Sequence, residues 1–130
     1  MYKPGLVAGT LFGMLSVILG AFGAHSLKQI LSPDQLGIFT TAVTYQFYHS
    51  FALLIAGILY RFFPYKVLRL ASAFFITGII FFSGSLYLMN VLSTSGRSIG
   101  MVGIVTPIGG LFFILGWLFL LLGILKKEAA

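Results

Sequence analysis

Four long apolar runs decide what this chain can fold into. They cover about residues 6–24, 40–61, 67–92 and 107–125, and a charged or turn-forming segment closes each. A helix rises 1.5 Å per residue, so roughly 20 apolar residues match the roughly 30 Å hydrocarbon core of a bilayer. Charged residues make up only 8% of the 130 positions, whereas a soluble domain carries roughly a quarter. So few charges cannot cover a water-facing surface, while a bilayer accepts apolar helix exteriors. The expectation is an all-α membrane protein. Residues 1–130 form one domain, a four-transmembrane-helix bundle with a short amphipathic segment on the membrane surface between the first two helices.

Local signals refine this outline. Lys3 and the small residues Ala21–Ala24 give the first run a superficial likeness to a secretory signal, but its length and its glycine pattern favour retention as a span. The second helix has a marked start. Ser32 is a good N-cap, Pro33 suits the first helical position, Gln35 completes a capping box, and Asp34 complements the helix dipole. Extending to Arg61, this helix is roughly 42 Å long, so its first turns belong in the headgroup region or the helix tilts. Before it, Leu27, Ile30 and Leu31 share a face and mark the surface segment. Ser93–Ser98 is a polar loop, and the apolar stretch 99–105 reads as a short return segment, with Thr106 capping a fourth helix that opens at Pro107.

The net charge of +6 comes from basic residues scattered between the runs. No single stripe forms, so they point to membrane topology and anionic lipid rather than nucleic acid. Four spans place Lys3, Arg61, Lys66, Arg69, Lys126 and Lys127 on one side and only Lys28 and Arg97 on the other. That bias predicts both termini in the cytoplasm. Tyr2, Tyr60, Phe62, Phe63 and Tyr65 are placed in the aromatic belt of that face.

Small residues mark the expected packing faces. Gly5, Gly9 and Gly13 repeat every four residues, Ser16, Gly20 and Ala24 form a second row, and Gly109, Gly116 and Gly123 recur every seven. Such spacing lets backbones approach in lipid, within the chain, in a homo-oligomer or against another membrane protein. Polar residues inside the spans need partners. Measured from Arg61, His49 lies about 18 Å and Gln46 about 22 Å along the second helix; measured from Arg69, Ser83 lies about 21 Å, Tyr87 about 27 Å and Asn90 about 31 Å along the third. With Tyr45, and with His25 and Thr106 near the outer boundary, these residues form a candidate polar cluster in the outer leaflet. It serves either to fix the bundle, with Gln46 and His49 bonding Ser83, Tyr87 or backbone, or as an outward-facing pocket for a small ligand, lipid headgroup or proton.

Other chemistry finds little support. The chain has two histidines and no cysteine, and the histidines differ in depth by roughly 12 Å, which disfavours a shared metal ion. No acid or thiol lies within a span, so no catalytic set and no cofactor are expected. Trp117 sits off the interfacial belt and reads as core or lipid-facing filler.

Four motifs occur in order: Gly20-Ala-Phe-Gly-Ala-His25, the Phe39 to His49 segment with Tyr45 and Gln46, Phe82-Ser-Gly-Ser-Leu-Tyr87, and Gly103 to Gly110 with Thr106-Pro107, followed by Gly116-Trp117. Together they resemble the YgdD-like family of small four-span membrane proteins, a domain of unknown function with bacterial inner-membrane members and mitochondrial relatives in animals. The resemblance implies a four-helix membrane fold and no established substrate or catalytic residue. With that resemblance, the reading is a non-enzymatic multi-pass protein of the bacterial plasma (inner) membrane with a structural, lipid-interacting or accessory role. The alternative is a small transporter or channel for an ion or small solute using the His49 cluster.

Overall fold

The computed structural model describes residues 1–126 and contains four helices long and apolar enough to cross a membrane. Lys127, counted above among the topological charges, lies outside the described residues. Helix α1 spans Lys3–Ala24 and α2 spans Pro33–Phe62. The third span is α3, Lys66–Gly78, a π-helical turn, Ile79–Ser83, and α4, Gly84–Thr94; α5 spans Val102–Leu125. No strand occurs among the described residues.

The capping box at α2 forms as its residues dictate. The Ser32 hydroxyl accepts from the Gln35 backbone N–H at 3.2 Å, and the Ser32 N–H donates to Gln35 Oε1 at 2.9 Å. Gln35 Nε2 also donates to the Ser93 hydroxyl at 3.1 Å, tying the start of α2 to the end of α4. The segment between α1 and α2 contains one 3₁₀ turn, Leu27–Gln29, followed by an exposed Ile30.

Two local features differ from the sequence expectation. The fourth helix opens at Val102, so Pro107 lies inside α5 and Thr106 caps nothing. Residues 102–105 extend the span rather than returning along the surface. Pro107 removes the bond its own N–H would have made to the Gly103 carbonyl and crowds that carbonyl, and the helix continues through it. The second feature is the π turn, where the Gly84 N–H reaches back five residues to the Ile79 carbonyl. Its wide, flat backbone receives Gly109 of α5; a Cβ there would collide with the Phe81–Phe82 backbone.

Glycines set the packing of the outer helices. At Gly9 a Cβ would come within 2.9 Å of the Ser50 carbonyl, and at Gly116 within 2.6 Å of the Phe75 ring. Gly5 lies against Ser72 and Tyr2, and Gly123 lies against Leu68. Gly13 is looser, with Ser50 Cβ 3.8 Å from the position of a Cβ. Thus α1 seats on α2, and α5 seats on α3 and the π turn, while α2 touches the third span. Between them lies an apolar core of Leu53, Ala56, Leu68, Ala71, Phe75 and Leu120. At the end of the bundle carrying the N-terminus, Arg69 sits over the Tyr2 ring at 5.5 Å and Lys126 over Tyr65 at 4.5 Å.

Candidate functional site

The intramembrane polar residues share one broad face of α2 but divide into two groups by the helices they meet. Gln46 joins three helices. Its Nε2 donates to the Phe12 carbonyl of α1 at 3.0 Å, and its Oε1 accepts from the Tyr87 hydroxyl of α4 at 2.8 Å. Ser83 donates to the Ala42 carbonyl at 2.7 Å. These groups are buried and paired, an arrangement that fixes helix positions where water is absent.

His49, roughly 60° round the helix from Gln46, meets α5. Its Nδ1 lies 2.7 Å from the Tyr45 carbonyl, and Trp117 Nε1 lies 3.1 Å from its Nε2. A carbonyl can only accept and an indole N–H can only donate. The ring is therefore the neutral tautomer with the proton on Nδ1, and both nitrogens are engaged. A proton or metal at Nε2 would have to displace Trp117. The ring also stacks on Phe113, with centroids 3.5 Å apart and planes 10° from parallel.

The eight residues expected in one polar cluster therefore do not gather into one pocket. Gln46 pairs with Tyr87, Ser83 bonds backbone nearby, and His49 and Tyr45 belong to the α5 side. Thr106 sits 2.6 Å from Ser85, a pair that links α4 to α5. His25 is exposed at the end of α1 and approaches only the Ala21 carbonyl of its own helix, at 3.1 Å. Asn90 is buried, and neither atom of its side-chain amide has a hydrogen-bond partner. Trp117, read from the sequence as filler, is the residue that completes the His49 site. The available signal was its separation from the interfacial belt, where an indole N–H would find water.

Beside His49 a groove of about 910 Å³ opens between α2 and α5. It forms because α5 packs on the third span while its backbone stays apart from α2, the two helices meeting through His49, Phe113 and Trp117. Tyr45, Tyr48, Phe82, Phe113 and Trp117 supply an aromatic lining, and Gly110 leaves room on the α5 side. Tyr48 is 59% and Trp117 46% exposed, so the groove faces sideways, where acyl chains lie. The layer toward the chain termini is the apolar core of Leu53, Phe75, Leu68 and Leu120, where buried Ser72 donates to the Leu68 carbonyl of its own helix.

Fold and site together define a polytopic α-helical membrane protein with a lateral, aromatic-lined intramembrane groove. The family model described as "Protein of unknown function (DUF423)" matches residues 19–110, and the chain belongs to that family. A UPF0382 membrane protein of Staphylococcus saprophyticus is 41% identical over 124 residues, 95% of this chain and 98% of its own. UPF0382 membrane proteins of Haemophilus influenzae and Bacillus subtilis are 36% and 32% identical, covering 99% and 95% of this chain and 99% and 98% of theirs. No solved structure matches.

Proposed function

We propose that the protein is a non-enzymatic, lipid-interacting protein of the bacterial plasma membrane that holds an amphiphile taken laterally from the bilayer in the α2–α5 groove. The YgdD-like resemblance is, on this reading, a resemblance to the same family. The carrying observation is the sideways opening of a roomy groove at hydrocarbon depth. A solute path would instead need polar groups continuing toward the other face, where the described core is apolar apart from Ser72, whose hydroxyl is bonded to its own helix. The orientation with both termini in the cytoplasm is part of the proposal. Among the described residues Lys3, Arg61, Lys66, Arg69 and Lys126 lie on the terminal side, against Lys28 and Arg97 opposite.

The chain's single tryptophan lines the groove, so intrinsic fluorescence tests the reading directly. In liposomes of phospholipid brominated at mid-chain, Trp117 emission should be strongly quenched. Gly110→Leu should weaken that quenching by filling the groove, since a Cβ there meets only the Phe82 ring at 3.8 Å and the fold tolerates it. Emission indifferent to brominated chains would mean the groove is closed to lipid.

A further inference from the structure

We infer that the occupant of the groove is a lipid-soluble quinone, a planar ring with carbonyl oxygens on an apolar tail. This inference rests on the groove reading above and names its ligand class. The first observation is the shape of the wall. His49 and Phe113 are stacked, Tyr45 lies nearly parallel to His49 at 14°, and Phe82 adjoins Tyr45 at 4.8 Å. Aromatic faces arranged in this way favour a flat ring, because offset stacking adds attraction beyond the area buried. An acyl chain gains no such preference.

The second observation is a pair of hydrogen-bond donors at the wrong depth for a phospholipid. Tyr45 and Tyr48 lie one turn apart on the groove face of α2, with ring centroids 6.3 Å apart. Their hydroxyls make no hydrogen bond among the described residues, whereas Tyr87 bonds Gln46. Tyr48 sits near the middle of α2, roughly 21 Å from one end and 22 Å from the other. A hydroxyl without an acceptor in hydrocarbon is unfavourable. Phospholipid ester carbonyls stay at the interface, some 15 Å from the bilayer centre, so they do not reach these donors. A quinone carries carbonyl acceptors on a ring that dissolves at this depth. The groove's volume of about 910 Å³ lies within the range of roughly 300–1,000 Å³ typical of small-molecule sites. Binding requires neither reduction nor bond formation. His49 acts as a positioning residue, held by Trp117 so that its ring face supports the stack.

The test titrates a short-tailed naphthoquinone into the reconstituted full chain and follows Trp117 fluorescence. The reference is Leu118→Trp in the Trp117→Phe background, which places the indole at nearly the same depth outside the groove. Quinones quench any tryptophan by collision, so the diagnostic result is saturable quenching at Trp117 and linear quenching at the reference. Tyr45→Phe and Tyr48→Phe should each weaken the saturable phase about fivefold, the effect of one lost hydrogen bond, and Gly110→Leu should abolish it. Linear quenching at both positions, with strong quenching of Trp117 by brominated lipid, would overturn the quinone assignment while the lipid groove stands. Insensitivity of Trp117 to both quenchers would overturn both, and is the outcome expected if a helix of a second copy fills the groove.

Discussion

Gly9 and Gly13 lie one turn apart on the same face of α1, and the structure gives them opposite sensitivities. Replacing Gly9 with Ala puts a methyl 2.9 Å from the Ser50 carbonyl oxygen and 3.1 Å from Leu53 Cβ. The oxygen belongs to the α2 backbone and cannot rotate away, so α1 must move outward by several tenths of an ångström. That shift loosens the Gln46–Phe12 bond and the seat of Gly5 on Ser72. Overpacking of this kind costs about 1–3 kcal/mol. Replacing Gly13 with Ala puts the methyl 3.8 Å from Ser50 Cβ, an ordinary contact. There, reduced backbone freedom in the unfolded chain leaves the change neutral or stabilising by up to about 1 kcal/mol. The two variants therefore should differ by roughly 1–4 kcal/mol, with Gly9→Ala the less stable. Reversible unfolding in mixed micelles of a mild detergent and dodecyl sulfate measures the difference. Equal losses, or a greater loss at Gly13, would refute the claim that close backbone approach at Gly9 seats α1.

Further outcomes follow from individual contacts. Trp117→Phe should destabilise by roughly 0.6–1.7 kcal/mol through loss of the interhelical bond to His49, and in the His49→Leu background, where that bond is already gone, the same change should cost much less; a double-mutant cycle without coupling would argue against the bond. Tyr87→Phe should cost about 1 kcal/mol, with the loss vanishing when Gln46 is Leu. Asn90→Leu should be neutral or stabilising, because the buried amide has no partner to lose; a loss above about 2 kcal/mol in the same unfolding assay would indicate a bond that the side chain makes in the membrane. A cytoplasmic reporter fused after Ala130 should be active and a periplasmic one silent, as the proposed orientation requires.

The membrane class, the number of spans and the start of α2 were legible from the sequence, because each depends on local chemistry. Apolar length is set by bilayer thickness, and Ser32, Pro33 and Gln35 carry the capping geometry within four residues. Membership of the glycines in packing faces was also visible, since spacing alone puts Gly5 and Gly9, or Gly109, Gly116 and Gly123, on one side of a helix. Which glycine is tightly seated was not, because the distance to Ser50 or Phe82 belongs to the partner helix. The π turn at Ile79–Ser83 has no proline or charge to announce it, and it is stabilised by the α5 backbone lying against it. Depth counting brought Gln46, His49, Ser83 and Tyr87 to neighbouring levels but carried no angular information about the other helices. The tertiary structure alone turned Gln46 toward α1 and α4 and His49 toward α5, and it alone gave Trp117 a partner. A one-dimensional pattern fixes how deep a side chain sits; only the packing of α5 on the third span, with its backbone held apart from α2, decides what that side chain faces.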